Sequence, residues 1–257
     1  MKKARLVGLV LIIIFIFITA GYLVNRFSYA KELPFYSVNV KKDSVLTIGI
    51  IGDSWVAGKK LDSVIHYTLL ANKINNKVFS SGQGGAKSKI IYQNLFKKKT
   101  DLNSSKNVIE NRPDYCIVIA GVNDALGQVG KEFYTHHLIM IIKTLLHYNI
   151  KPIVVELPEI GIIEATDQMG FFKKGRNIIY AYFTDAGELD NIYTYRNELK
   201  KMLLEQHLNN SIIYIDFNRV CTNYKECLEL YVNPSHLSRR GNIKLGKIIA
   251  NDIIKNH

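Results

Sequence analysis

Five short runs of consecutive apolar residues alternate along the chain with longer segments in which apolar residues recur at helical spacing. The apolar runs are rich in β-branched residues and cover positions 45–51, 77–79, 115–120, 152–157 and 211–216. The helical spacing covers positions 61–74, 88–96, 132–148, 196–207 and 237–254. Runs that are apolar throughout are typical of strands buried on both faces. The pattern therefore predicts an α/β fold, a three-layer α/β/α sandwich with a parallel sheet of about five strands.

The amino terminus combines basic residues with a long apolar segment. Lys2, Lys3 and Arg5 precede a mostly apolar and uncharged stretch from Leu6 to Val24. A helix of about 19 residues is roughly 28 Å long, enough to span the hydrocarbon core of a bilayer. The basic residues before the span favour an amino terminus in the cytoplasm. Residues 1–26 are therefore predicted to be an uncleaved membrane anchor, with the rest of the chain outside the cytoplasm in a bacterial cell envelope. A cleaved signal peptide is the alternative.

Two further segments lack a clear hydrophobic period. Residues 27–43 contain Pro34 and are predicted to be a short stalk, which makes residues 44–257 the folded domain. Residues 158–195 are long and mixed in polarity. Long insertions of this kind are often lids or substrate loops, and the alternative is a surface insertion with one extra helix.

Four short motifs follow predicted strands at the point where each strand ends. In chain order they are Gly52-Asp53-Ser54-Trp55, Gly82-Gln83-Gly84-Gly85, Gly121-Val122-Asn123-Asp124 and, after the fifth strand, Asn233-Pro234-Ser235-His236. Ligands of open parallel sheets bind beyond the carboxyl ends of the strands, so these four motifs mark the candidate site.

In this order the four motifs resemble the blocks of the SGNH or GDSL hydrolase family, and the resemblance covers the chain from about Val45 onward. It implies a flavodoxin-like sandwich with Ser54 as the nucleophile and His236 as the base. It also implies that the Gly85 N–H and the Asn123 side-chain amide bind the oxyanion. Members of this family include esterases, lipases, thioesterases, carbohydrate acetylesterases and some acyltransferases.

These residue types also suit acyl transfer on physical grounds. A serine hydroxyl is a weak nucleophile at neutral pH and needs an imidazole to take its proton. Hydrogen-bond donors aimed at the oxyanion contribute about 3 to 4 kcal/mol each, and we expect the N–H groups of Ser54 and Gly85 and the Asn123 amide to serve here.

Residues beside the reactive positions are candidates for substrate binding. They are Trp55, Gly84 and Asp124, although Trp55 could equally fill the core, and aspartates at such positions more often hold turns.

One residue departs from the family pattern. The family has Asp-x-x-His, in which the aspartate orients the histidine, whereas this chain has Asn233 three residues before His236. An asparagine can accept a hydrogen bond from the imidazole but cannot stabilise imidazolium by charge. Three hypotheses follow: a Ser-His dyad or Ser-His-Asn triad, a different carboxylate such as Asp216 or Glu229 beside His236, or a degenerate fold that only binds.

Charge and cysteine content exclude several other classes of protein. The chain carries 34 basic and 22 acidic residues, a net charge of +12. Its basic doublets are scattered and accompany no nucleic-acid-binding motif, so they predict a solvated surface or attraction to an anionic membrane or acidic glycan. The three cysteines form no C-x-x-C pair, and neither metal nor organic cofactor is expected. Cys221 and Cys227 are close enough in sequence to form a disulfide outside the cytoplasm.

The sequence thus predicts a serine esterase that removes O-acetyl or other short acyl groups from a cell-envelope or surface polysaccharide through an acyl-enzyme on Ser54. Its expected partners are an acylated glycan or other ester and, through the amino-terminal helix, a membrane, but no nucleic acid. The alternatives are an O-acetyltransferase that uses the same serine, and a glycan-binding protein without activity.

Overall fold

A five-stranded parallel sheet forms the centre of the protein. The structure is a computed structural model and describes residues 2–38, 45–58 and 60–257. The strands are β1 (Leu46–Gly52), β2 (Asn76–Gly82), β3 (Tyr115–Ile119), β4 (Lys151–Val155) and β5 (Ile213–Ile215). Their order across the sheet is β2-β1-β3-β4-β5, and every neighbouring pair is parallel. This is the flavodoxin-like order, so the predicted fold class is confirmed for the sheet and its helices.

Eleven α-helices are described, and those that pack on the sheet cover both of its faces. They are α1 (Lys2–Phe27), α2 (Ser54–Ala57), α3 (Lys60–Ala71), α4 (Ser88–Asn94), α5 (Lys106–Glu110), α6 (Val122–Leu126), α7 (Lys131–His147), α8 (Ile162–Asp167), α9 (Phe171–Thr184), α10 (Ile192–Glu205) and α11 (Arg239–Asn256). Helix α3 packs against α11, and α7 packs against α4 and α10. Every residue of β1 and β3 is buried between the layers, which explains why these strands are apolar throughout.

The chain after β5 contains elements that the hydrophobic pattern did not predict. Three short 3-10 helices, Phe217–Arg219, Tyr224–Glu226 and Leu228–Leu230, lead into a small antiparallel hairpin. The hairpin consists of β6 (Tyr231–Asn233) and β7 (His236–Leu237). Cys221 and Cys227 form a disulfide within this segment, and Cys116 is buried in β3 as expected.

The amino-terminal region differs from the prediction. Within the described residues, no helix combines the length and the apolar character needed to cross a membrane. The predicted anchor over residues 1–26 is therefore not confirmed.

The stalk prediction is wrong for residues 28–38, which lie against the domain. The backbone N–H of Ala30 donates to Nε2 of buried His137 at 2.9 Å, and that of Leu33 donates to the Tyr92 hydroxyl at 2.9 Å. An extended segment has no internal partners for its N–H groups, and here side chains of α4 and α7 accept them. Residues 39–43, the rest of the predicted stalk, lie outside the described residues.

The predicted insertion over residues 158–195 holds more helix than expected. It contains all of α8 and α9 and the start of α10, where one extra helix was predicted. Helix α9 is amphipathic, but its apolar side faces outward.

Candidate active site

A tight turn at the end of β1 places Ser54 at the start of helix α2. The Asp53 carboxylate accepts the Trp55 backbone N–H at 2.9 Å and caps the helix. Strands β1 and β3 approach closely here, since a Cβ on Gly52 would lie 2.2 Å from the Ile119 carbonyl oxygen. Only glycine fits at this position, which brings the turns after β1 and β3 together.

Ser54 and His236 are in hydrogen-bond contact. Nε2 of His236 lies 3.0 Å from Oγ of Ser54, although the two residues are 182 positions apart in sequence. The β6–β7 hairpin carries His236 to this position beside the carboxyl end of β1. Both residues line a cleft of about 180 Å³, together with Trp55, Lys60 and Asn233. The arrangement is that of a nucleophile and its base.

Asn233 orients the other nitrogen of the imidazole. Its Oδ1 lies 3.0 Å from Nδ1 of His236 and also accepts the Ser235 backbone N–H at 3.0 Å. Because the backbone N–H only donates, the atom that faces it is the amide oxygen, which only accepts. Nδ1 of His236 therefore carries a proton, and Nε2 is left to accept the Ser54 proton.

The described residues give no support to a replacement carboxylate. Asp216 caps a 3-10 helix by accepting the Asn218 backbone N–H at 2.9 Å. Glu229 reaches this region only through its backbone carbonyl, which accepts from the Ser238 hydroxyl. Among the described residues, no carboxylate hydrogen-bonds to His236. The histidine is part of a Ser-His-Asn arrangement.

Restoring a carboxylate tests this arrangement. We expect Asn233→Asp to raise kcat by about tenfold, because an aspartate stabilises the imidazolium that forms when Ser54 loses its proton. The gain is smaller than in a buried triad because residue 233 is exposed and water screens its charge.

The same substitution also raises the pKa of His236, so the acidic limb of the pH profile moves to higher pH. Steady-state kinetics across the pH range measure both changes, and Asn233→Ala provides the comparison without an acceptor. An unchanged kcat together with an unmoved acidic limb in Asn233→Asp would contradict the assigned contact.

Three donors are candidates for binding an oxyanion. Neither the Ser54 N–H nor the Gly85 N–H has an acceptor among the described residues. Gly85 is exposed and has φ of +72°, a conformation that favours glycine, and neighbouring Gly84 is also exposed. The Asn123 side-chain amide donates to the Ala86 carbonyl at 3.1 Å and lies 3.5 Å from Oδ2 of Asp53.

Two buried aspartates stabilise the loops that carry these donors. Asp124 is fully buried, and its carboxylate accepts the Ser88 backbone N–H at 2.9 Å and the Ser88 hydroxyl at 2.6 Å. Asp124 does not line the cleft around Ser54. Its contacts with Ser88 hold two loops together, and no contact with a substrate in that cleft is open to it. Burial raises the pKa of Asp124 to about 6, and burial raises the pKa of Asp53 to about 7.

Trp55 joins the nucleophile turn to the histidine loop. Its side chain is 5% exposed and packs against Phe217, and its indole N–H donates to the Ser235 carbonyl at 2.8 Å. Trp55 borders the cleft, but most of its side chain is buried and packs in the core. Ser235 was not predicted as a site residue, although its hydroxyl also lies 3.1 Å from Nδ1 of His236. Its position between Asn233 and His236 was the feature of the sequence that could have identified Ser235 as a site residue.

Burial and a neighbouring lysine both favour the neutral imidazole. Burial lowers the pKa of His236, and the ammonium group of Lys60, which lines the same cleft, lowers it further. The base form therefore persists below the ordinary histidine pKa of about 6.5.

Neutralising Lys60 is expected to shift the pH profile. In Lys60→Met the pKa of His236 rises, so the acidic limb of kcat/KM moves to higher pH while the activity above it changes little. Lys244→Met, a charge loss on exposed α11, is the matched control and should leave the limb in place. If the acidic limb of kcat/KM lies at the same pH in Lys60→Met as in the wild type, Lys60 does not act on the pKa of His236.

Similar folds occur among solved bacterial hydrolases. A lipase/acylhydrolase from Enterococcus faecalis is 17% identical, with a TM-score of 0.60 over 82% of this chain and 96% of that chain. The acetylxylan esterase Axe2 from Geobacillus stearothermophilus is 16% identical, with a TM-score of 0.57 over 83% of this chain and 96% of that chain. The acetyl xylan esterase AlAXEase is 18% identical, with a TM-score of 0.57 over 80% of this chain and 99% of that chain.

No curated protein sequence matches the chain. The model of one protein family, described as the GDSL-like lipase/acylhydrolase family, matches residues 50–242. This range contains Ser54, Gly85, Asn123 and His236, the residues that the structure gathers at the carboxyl end of the sheet. The chain therefore belongs to the GDSL-like lipase/acylhydrolase family of ester hydrolases.

Proposed function

We propose that the protein is a serine esterase that removes O-acetyl or other short acyl groups from a surface polysaccharide. The observation that carries the proposal is the 3.0 Å contact between Ser54 Oγ and His236 Nε2 at the wall of a small cleft. The N–H groups of Ser54 and Gly85 have no acceptor in the described part of the chain, and we infer that they stabilise the oxyanion.

The reaction proceeds through an acyl-enzyme. Ser54 Oγ attacks the ester carbonyl carbon while its proton passes to His236 Nε2, and the oxyanion faces the N–H groups of Ser54 and Gly85 and the Asn123 amide. The C–O bond to the sugar breaks, and the departing hydroxyl takes the proton from His236. A water molecule then attacks the acyl carbon while His236 Nε2 takes its proton, the bond between the acyl carbon and Ser54 Oγ breaks, and His236 returns the proton to Oγ as the carboxylic acid leaves.

The size of the cleft supports a short acyl group. Its volume of about 180 Å³ is below the range of 300–1,000 Å³ that is typical of pockets for drug-sized ligands. Two structural neighbours carry the name acetylxylan esterase, which is consistent with an acetylated glycan as substrate. The net charge of +12 favours an acidic glycan.

The substrate is tested with a series of esters that differ only in acyl length. We expect acetyl esters to be hydrolysed with the highest kcat/KM and octanoyl esters to be poor substrates. Acetylated polysaccharides are then compared for acetate release. Acetate transfer to an added sugar acceptor, with little release to water, would instead identify an acetyltransferase. A folded protein that binds these glycans without turnover would refute the proposal of an active enzyme.

We also propose that the domain works outside the cytoplasm, held at a membrane by α1. Supporting this, the side chains of Leu11–Ile18 on α1 are apolar and exposed, and disulfides such as Cys221–Cys227 persist in oxidising compartments. In cells that produce the full chain, the protein should remain with the membrane fraction after an alkaline wash, and an added protease should digest the domain in intact spheroplasts. Recovery in the soluble fraction, protected from protease, would contradict the proposal.

A further inference from the structure

Helix α9 carries an apolar stripe that faces solvent. Phe172 is 88% exposed and Phe183 is 79% exposed, and Ile178, Ile179 and Tyr182 lie between them on the same side of the helix. Their spacing of three, four and seven residues places them on one face, while Asn177, Tyr180 and Ala181 on the opposite face are buried. An exposed aromatic stripe of this length is typical of a surface that meets an apolar phase or a partner.

The stripe is continuous with the end of helix α1. Phe27 packs edge-on against Tyr180 with ring centroids 5.3 Å apart, and the Arg26 guanidinium lies 4.6 Å from the centre of the same ring. A cleft of about 600 Å³ separates the two helices, and Leu23, Ile179 and Phe183 are among the apolar residues that line it. The exposed apolar side chains of α1 and α9 therefore form one surface.

Positive charges without ion-pair partners border this surface. Arg26, Lys87 and Arg176 form no ion pair with any residue that the structure describes. The Nε atoms of Arg26 and Arg176 are buried and have no acceptor in the described part of the chain.

Lys87 shares this positive environment. Burial and the neighbouring charge of Arg26 both lower the pKa of Lys87. The nearby carboxylate, Asp124, is already occupied by Ser88. An anionic group placed among the three cations would relieve their mutual repulsion and supply the missing acceptors.

We propose that helix α9 and the end of α1 form a docking surface for an anionic lipid bilayer, with the aromatic stripe in the headgroup region and lipid phosphates held by Arg26, Lys87 and Arg176. Aromatic side chains next to basic ones are the composition that binds at such interfaces. Polar glycans would not cover Phe172 and Phe183, and free phosphate would leave the stripe in water.

Tryptophan fluorescence in the full chain tests the position of α9. Phe183→Trp places a reporter in the stripe, and Tyr67→Trp on α3, at a position that is 67% exposed, is the matched control. Both are mixed with vesicles of phosphatidylcholine and phosphatidylglycerol whose acyl chains carry bromine, which quenches tryptophan on contact. We expect strong quenching at position 183 and little at position 67, because only α9 enters the lipid. Equal quenching at both positions, or none at position 183, would overturn the proposal.

The role of the cations is tested in the same assay. Lys87→Gln with Arg176→Gln should raise the lipid concentration for half-maximal quenching of the position-183 reporter about 30-fold, since each basic residue near an anionic surface contributes about 1 kcal/mol. Lys244→Gln with Lys247→Gln removes the same charge from exposed positions on α11 and should have little effect. Thermal unfolding confirms that each variant is folded. An unchanged titration in the first pair, or loss of quenching on addition of inorganic phosphate at low concentration, would contradict lipid docking.

Discussion

Replacing Ser54 with alanine is expected to lower kcat by about a million-fold, to the rate that the oxyanion donors and substrate binding support on their own. The Ser54 hydroxyl contacts Nε2 of His236 at 3.0 Å and is the nucleophile of the proposed mechanism. The substitution removes a half-buried hydroxyl whose hydrogen bond is to His236 alone among the described residues, so the fold should survive. Hydrolysis of an acetyl ester and labelling by a fluorophosphonate measure the loss.

Two comparisons make this result specific. His236→Ala should lose a similar factor, and the double variant should lose no more than either single variant, because the two residues act as a unit. Ser63→Ala, which removes an exposed hydroxyl from α3, should keep wild-type activity. If Ser54→Ala retains activity within tenfold of the wild type, Ser54 is not the nucleophile, and the proposed acyl-enzyme is wrong.

The second large effect is expected at Asn123. Its amide is the one side-chain donor of the proposed oxyanion site, and Asn123→Ala should lower kcat by about 10²–10³-fold with little change in KM. The split between kcat and KM follows because the donor acts on charge that develops in the transition state. Steady-state kinetics with an acetyl ester separate the two constants.

A structural effect of Asn123→Ala must be measured separately. The wild-type amide donates to the Ala86 carbonyl at 3.1 Å, so its loss also removes about 1 kcal/mol of stability. Asn111→Ala is a matched control because the Asn111 amide donates to the Asn107 carbonyl at 2.8 Å on the surface. Both variants should lose similar stability, but only Asn123→Ala should lose kcat. An equal kcat in both would remove Asn123 from the oxyanion site.

The central strands were predictable because burial on both faces requires apolar residues throughout. β1 and β3 have that environment, and their predicted positions agree with the structure to within one residue. β2 extends over Asn76–Gly82, well beyond the predicted 77–79. It is an edge strand whose later residues, including Ser80 and Ser81, are only half-buried, so they gave no continuous apolar run.

Elements stabilised by a few specific contacts were not predictable from the apolar pattern. The β6–β7 hairpin has strands of three and two residues, too short for any period to show. The course of residues 28–38 depends on acceptors such as Tyr92 and His137, which are far away in sequence. Helix α9 has helical spacing of its apolar residues, but the direction in which that apolar stripe faces depends on how the helix packs on the domain.

Within the site, the sequence identified the reactive residue types but not all their partners. Ser54, Gly85 and Asn123 were proposed because each follows a strand of a parallel sheet, whose carboxyl ends meet at one edge, and because their motifs resemble those of a known family. His236 lies in the β6–β7 hairpin instead and was proposed from the same resemblance. Whether the Asn233 amide or a carboxylate from elsewhere faces His236 depended on how the segment after β5 folds. Burial of Asp124 beneath the site likewise depended on its contact with Ser88 in another loop.

The sequence by itself determined the alternation of apolar strands with helices and, with it, the parallel sheet. It also predicted the residue types of the site, a serine nucleophile, a histidine base and amide donors for the oxyanion. These predictions follow from local burial and from motifs within a few residues of each other. Only the tertiary structure decided that His236 reaches Ser54 across 182 positions, that Asn233 and Ser235 face its other nitrogen, and that α9 presents its aromatic face to solvent. These contacts and orientations depend on the packing of segments that are remote in sequence, and no single segment contains that information.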